Sequence, residues 1–237
     1  MKPEFDLYAA EYARLLQDPA RDGFASDPGF FHRRKWMVIR DRLMARGLDS
    51  SRLNWLDVGC GQGDLIGLAG PNFAQAVGCD PCSAMFPSSA SFELHEQPSP
   101  TELPFPDESF DFVTAVCVYH HVHGDARTQL TRSVRRVLRP GGLFCIIEHN
   151  PWNPVTQLIV RRCPVDADAE LLSASFAGNL VGSSRFTVLD TVYFLYLPEV
   201  IFRRFGSIER FLPRLPLGGQ FALFGRKDDL PARSFRS

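Results

Sequence analysis

The 237-residue chain contains no apolar run near the length of about 18 that a membrane span requires, and no apolar stretch of signal type at its start. It is therefore expected to be soluble and cytoplasmic, with no stable membrane insertion. Net charge is nearly absent as well. With 26 Lys and Arg against 27 Asp and Glu, the formal charge is −1, which supplies no general attraction for a polyanion and disfavours a nucleic-acid substrate. The 6 cysteines, at 60, 79, 82, 117, 145 and 163, lack the dense spacing of a secreted disulfide scaffold, so reduced thiols are expected. Cys79-Asp80-Pro81-Cys82 has the C-x-x-C form, but no second such pair completes a zinc site and no metal is expected. What is present is a hydrophobic content of 45%, enough to build one α/β domain with a full core. Nothing in the sequence signals an oligomeric state.

The most informative segment is Leu56-Asp57-Val58-Gly59-Cys60-Gly61-Gln62-Gly63-Asp64, where an apolar run stops at an acid and glycines follow at alternating positions. Glycines are required where a strand turns sharply into a helix and the backbone must approach a ligand closely. Gly59-x-Gly61-x-Gly63 is not the dinucleotide fingerprint, which wants a further small residue where Asp64 stands. A carboxylate there repels a pyrophosphate and suits a ligand that carries an ammonium group, which points to S-adenosylmethionine (SAM) rather than NAD. A second short strand ends at Ala76-Val77-Gly78-Cys79-Asp80, and the separation from Gly61 to Asp80 is the one at which a βαβ unit delivers a carboxylate to a ribose diol. Predicted strands near 53–58, 75–80, 110–118 and 143–148, with a further short one near 90–94, alternate with helical patterns, as in a parallel doubly wound sheet.

The text LDVGCGQGD, GCDPCSAM, LPFPDESFDFV, VYHHV and RRVLRPGGLFCIIEHN, in this order, resembles the class I SAM-dependent methyltransferases of the small-molecule, ubiquinone/menaquinone-methyltransferase-like type (methyltransferase type 11) over roughly residues 30–150. The resemblance implies a Rossmann-like three-layer sandwich with a seven-stranded, mostly parallel sheet, an antiparallel C-terminal hairpin strand and helical lid elements. It also implies that Asp57, Gly59, Gly61 and Gly63 cradle the methionine part of SAM. Asp80 would take the ribose hydroxyls, Pro81 and Met85 flank the adenine, and Cys117 and Val118 pass beside the methionyl amine. Family members often carry an Asp just before the Leu-Pro-Phe, and here Gln97-Pro98-Ser99-Pro100-Thr101-Glu102 replaces it, so Ser99 or a backbone carbonyl is expected to meet the adenine amine. Cys117-Val118-Tyr119-His120 stands where an Asn/Asp-Pro-Pro-Tyr motif would signal methylation of an exocyclic base amine. That class is set aside.

The core, residues 51–150, is flanked by a helical cap over 1–50 and a C-terminal part over 151–227, followed by a tail over 228–237 that is expected to be disordered. Phe31 to Arg46 reads as an amphipathic helix with Trp36, Ile39 and Leu43 on one stripe and a solvated basic face that includes Arg33, Arg34, Arg40 and Arg42. Helices are also predicted over 128–138, 155–162 and 171–181, and strands over 186–197 and 219–225. Between those strands, Glu199 to Leu217 interleaves Ile201, Phe202, Phe205, Ile208, Phe211 and Leu212 with Arg203, Arg204, Arg210 and Arg214. The segment reads as a lid over an apolar substrate, with core packing and a membrane-surface helix as the alternatives.

Methyl transfer from SAM is an in-line displacement in which positive charge is lost, so holding nucleophile, methyl and sulfur in line contributes on the order of 7–11 kcal/mol. Metal and covalent nucleophile are not required, but a base is useful. Open α/β sheets place ligands at the carboxyl ends of their strands, where His120, His121 and His123 follow one strand and Glu148 and His149 end the next. An imidazole of ordinary pKa about 6.5 is suited to a phenol-like group near 10 and poorly matched to an aliphatic alcohol. His120, His149 and Glu148 are thus the catalytic candidates, and Tyr8, Tyr12, His121 and Trp152 the candidate acceptor contacts. The implied activity is methyl transfer (EC 2.1.1.-) to an O or N atom of a small apolar or aromatic metabolite, in the manner of secondary metabolism. A NAD-dependent oxidoreductase and a non-catalytic SAM-binding partner protein are the other readings.

Overall fold

A computed structural model describes residues 11–16, 18–27 and 29–228. Tyr8 and the tail beyond residue 228 lie outside them, and of Tyr12 only the backbone is described. The helices are α1 (Tyr12–Leu15), α2 (Pro19–Phe24), α3 (Gly29–Met44), α4 (Asp64–Ala69), α5 (Asp125–Val137), α6 (Pro154–Arg162), α7 (Ala174–Ser183) and α8 (Glu199–Phe205). The strands are β1 (Asn54–Val58), β2 (Gln75–Asp80), β3 (Glu93–Glu96), β4 (Phe110–Val116), β5 (Leu138–His149), β6 (Phe186–Phe194) and β7 (Gln220–Lys227). Among the described residues no helix is long and apolar enough to cross a membrane.

The strands form one sheet in the order β3-β2-β1-β4-β5-β7-β6. The first five run parallel, and β7 lies antiparallel between β5 and β6. The sequence expectation of a mostly parallel seven-stranded sheet with an antiparallel C-terminal hairpin is met. Parallel strands covered on both faces read as near-continuous apolar runs, and β1 is buried from Trp55 to Val58. One apolar layer packs Leu130, Val134 and Val137 of α5 and Ala177 and Val181 of α7 against Leu56, Val113 and Phe144 of the sheet. The other packs Ile39 and Leu43 of α3 and Ile66 of α4 against Trp55, Phe112 and Phe224. The order reverses at β1 and β4, whose carboxyl ends therefore open a crevice between diverging connections.

Element boundaries shift where local chemistry overrides periodicity. α5 begins at Asp125 rather than at Thr128, because Gly124 takes φ 55 just before it and the Asp125 carboxylate sits in the helix's positive first turn. The expected break at Pro140-Gly141-Gly142 is a bulge inside β5, where the pairing jumps from Phe110–Leu138 to Phe112–Leu143. The basic face assigned to α3 is only partly solvated, since Arg34 and Lys35 are both buried.

The lid reading of Glu199 to Leu217 is corrected. This segment forms α8 and a 3₁₀ stretch over Gly206–Phe211, and it packs on α3 rather than over the crevice. Arg34 pairs with Glu209 in a buried ion pair, and its guanidinium lies 3.8 Å over the Phe202 ring, which meets Phe30 edge-on at 5.7 Å. The helical cover over the crevice comes instead from Leu15 and Leu16, α2, α6 and the turn Pro164–Asp166.

Candidate active site

The crevice is a cavity of about 630 Å³, within the range of pockets that enclose a small ligand. Its cofactor-sized end is built by the turn after β1. Gly59 and Gly63 adopt φ 65 and 77, in the left-handed region. A Cβ on Gly59 would lie 2.5 Å from Val118 Cγ2, and one on Gly63 would lie 2.4 Å from Phe92 Cε2. Gly61 N–H donates to Asp80 Oδ2 at 2.8 Å, and Cys82 N–H donates to Asp80 Oδ1 at 2.8 Å, so the acid is fixed by the turn it faces. Burial raises the Asp80 pKa, and these two bonds oppose the rise. Asp57 is buried behind the turn, where it accepts from Thr114 Oγ1 at 2.5 Å while Thr114 accepts from Trp55 Nε1 at 2.8 Å. Burial pushes the Asp57 carboxyl up to about 7, against the pull of Thr114 and Lys35.

At the far wall Gln97 is only 4% exposed and faces the cavity. Its Nε2 donates to Ser99 O at 3.3 Å, while its Oε1 is buried without a hydrogen-bond partner. Ser99 itself does not line the cavity, and its hydroxyl pairs with Thr101 Oγ1 at 3.4 Å. Lys35 reaches in from α3 and places Nζ 3.9 Å from Cys117 Sγ. Burial drives the Cys117 thiol up, but Lys35 and His149 outweigh it and bring the pKa down to about 7.

The second half of the cavity is ringed by histidines. Glu148 is fully buried and accepts from Val118 N and Tyr119 N through Oε1, at 3.0 and 2.7 Å, and from His120 Nδ1 through Oε2 at 2.5 Å. It does not reach the cavity, so the expectation of a catalytic Glu148 gives way to that of a clamp holding the β4 loop. His120 Nε2 lies 3.5 Å from Asp166 Oδ1. Burial would lower the His120 pKa, yet Glu148 and Asp166 hold it well above the ordinary value, so a ring charged in this way cannot accept a proton. Burial and the His120 charge push His121 down to about 4. His149 faces the cavity with its ring centroid 5.3 Å from that of His120. Ile159, Val165 and Leu195 supply apolar wall.

A family model described as a methyltransferase domain matches residues 56–146, the stretch that carries the glycine turn, Asp80, Gln97 and the β4 loop. An uncharacterised methyltransferase of Bacillus subtilis, YcgJ, is 33% identical over 116 residues. Residues 56–146 are thus similar to a methyltransferase domain. The match to YcgJ covers 45% of this chain and 45% of that protein, so the chain spans about half the length of this curated relative. Among solved structures, a SAM-dependent methyltransferase of Thermotoga maritima, described as a possible histamine N-methyltransferase, superposes with a TM-score of 0.66 at 15% identity, covering 96% of this chain and 100% of that one. The [4+2]-cyclase SpnF superposes with a TM-score of 0.64 at 17% identity, covering 96% of this chain and 95% of that one. These two share the fold.

SAM is the cofactor that this domain and fold imply, and the residues present fit it: Gly59 has no room for a Cβ, the Asp80 carboxylate lines the cavity beside the glycine turn, and the buried Gln97 Oε1 lacks a hydrogen-bond partner. Of the predicted positions, Asp57, Gly59, Gly61, Asp80, Pro81, Met85, Cys117, Val118, His120, His121 and His149 all line the cavity. Trp152 is 68% exposed on the turn before α6 and lies off the wall, as Ser99 and Gly63 do. Gln97, Lys35 and Asp166 line the cavity without having been singled out in the sequence.

Proposed function

We propose that this chain methylates an O or N atom of a small, largely apolar or aromatic metabolite. The observation that carries the reading is the continuity of one cavity from the Gly59–Gly63 turn and Asp80 to a chamber walled by His149, Ile159 and Val165. When bound, SAM supplies a methyl carbon on a sulfonium that passes in line to a nucleophile as sulfur leaves as a neutral thioether. The chain's residues position and shield that exchange. Asp80 holds the ribose hydroxyls, Gln97 Oε1 accepts from the adenine amine, and Lys35 faces the methionyl carboxylate near Asp57. His149 takes the acceptor's proton, since Glu148 is walled off and His120 already sits between two carboxylates.

The test is a calorimetric titration with S-adenosylhomocysteine (SAH), followed by mass-spectrometric screening of phenols and N-heterocycles. Submillimolar SAH binding and a product heavier by one methylene are expected. No binding at millimolar SAH, or protection against melting by NAD and not by SAH, overturns the reading. His149→Ala should lower turnover by roughly 10²–10⁴-fold, the usual contribution of a general base, with SAH affinity unchanged.

A further inference from the structure

The side chains of His120, His121 and Asp166 come together from two separate loops, and each offers one ligand atom within 4.8 Å of the other two. Asp166 Oδ1 stands 3.5 Å from His120 Nε2 and 3.5 Å from His121 Nε2. Those separations exceed the 2.7–3.2 Å of a good N–H···O bond. A tetrahedral centre with bonds of about 2.0–2.1 Å sets its ligand atoms about 3.3–3.4 Å apart, so two edges of such a centre are already present.

The surroundings match as well. Glu148 Oε2 bonds His120 Nδ1 at 2.5 Å, which directs Nε2 toward Asp166 and orients the ring as a carboxylate does behind a metal-bound histidine. The spacing of the two loops is fixed by hydrogen bonds to backbone carbonyls: Glu170 N–H donates to His120 O at 2.9 Å, and the Arg127 side chain donates from Nε to Tyr119 O and from Nη2 to Glu170 O, each at 3.1 Å. All three ligand residues line the chamber, so a fourth position opens toward the acceptor. A divalent cation would take the place of the proton that the metal-free His120 ring holds on Nε2, and its charge would be met by Asp166 and, through His120, by Glu148.

We propose that His120, His121 and Asp166 form a divalent transition-metal site, of the kind Zn²⁺ occupies, whose open position takes a hydroxyl oxygen of the methyl acceptor. Two imidazoles and one carboxylate suit zinc or a neighbouring first-row cation, and not magnesium. The role assigned to the cation rests on the methyltransferase reading, and it narrows the acceptor to a hydroxyl-bearing molecule. The coordinated hydroxyl loses its proton to His149, and the freed oxygen pair forms the C–O bond. The C–S bond breaks with its electron pair remaining on sulfur, so SAH is the second product.

The experiment titrates the metal-stripped full chain with Zn²⁺ by calorimetry, and with Co²⁺ by visible absorption, alongside a separate SAH titration. One equivalent of zinc and the intense visible bands of four-coordinate cobalt are expected. Asp166→Asn and His121→Ala should each weaken zinc binding at least about tenfold while SAH affinity stays within about twofold, which also reports that the variants are folded. Glu148→Gln should weaken zinc binding by roughly 10–100-fold, as loss of an orienting carboxylate does. Absence of stoichiometric zinc, or zinc uptake that survives both ligand variants, overturns the site in favour of a proton shared between His120 and the two carboxylates or of thiol-borne binding. SAH binding without zinc removes this inference alone, whereas zinc binding without SAH removes the cofactor reading alone.

Discussion

Each oxygen of the Asp80 carboxylate accepts one backbone amide, from Gly61 and from Cys82 at 2.8 Å each, and keeps a lone pair for a donor in the cavity. Truncation leaves a ribose diol unmet in a water-poor site, so Asp80→Ala should weaken SAH binding by about 1–3 kcal/mol in calorimetry. Unchanged affinity would remove the ribose assignment. Gln97 makes a sharper distinction, because a partnerless Oε1 can accept from an amine but has nothing to gain from a ring carbonyl. SAH should bind more tightly than its inosine analogue by about 1–3 kcal/mol, and Gln97→Ala should abolish most of that preference. The two residues also differ in how visible they are from the sequence. Asp80 and the glycines follow a strand at a spacing dictated by the βαβ turn, and so they could be read directly. Gln97 sits in no glycine pattern, and Lys35 was hidden in the basic run Arg33-Arg34-Lys35, where nothing short of the fold shows which cations turn inward.

At the level of elements, interleaved aromatic and arginine residues over 199–217 have the composition of a lid, a core helix or a membrane-surface helix alike. What separates these readings is a tertiary partner, Arg34 on α3, which pairs with Glu209 while Glu209 Oε1 accepts from Tyr196 N and Leu197 N at 3.0 and 2.9 Å. Glu209→Ala strands a buried guanidinium and two amides, a loss of about 3–5 kcal/mol. For a chain of this size the melting temperature should then fall by roughly 6–20 °C in calorimetry. Because the segment braces α3 and does not cover the cavity, SAH affinity should stay within about twofold at temperatures where the variant is folded. A large loss of affinity under those conditions would restore the lid. The parallel strands around the cavity were far easier to anticipate, since continuous apolar runs between glycine and proline punctuation mark a βαβ alternation.

For the molecule as a whole, titration of cavity-wall groups ties stability to pH. His32 lies on the cavity wall with Nδ1 buried and partnerless, and burial together with the charges of Lys35 and Arg21 pushes its pKa down to about 3, while Asp64 faces Nε2 from 3.7 Å. The unfolded chain protonates this histidine near 6.5. Between those values the unfolded state holds a proton that the folded state does not, so the contribution of His32 is fully present above pH 6.5 and is lost as pH falls toward 3. His121, at about 4, acts in the same direction. Asp57 opposes both: raised to about 7 in the fold and near 3.9 when unfolded, it favours the folded state as pH drops across that range. Opposing slopes flatten the wild-type curve, so the informative quantity is a difference between proteins. Relative to wild type, His32→Gln should gain stability in urea unfolding as pH is lowered from 6 to 4, by up to about 1.4 kcal/mol per pH unit. A difference that stays constant with pH would mean that His32 is protonated in the fold, with Asp64 and not burial setting its charge.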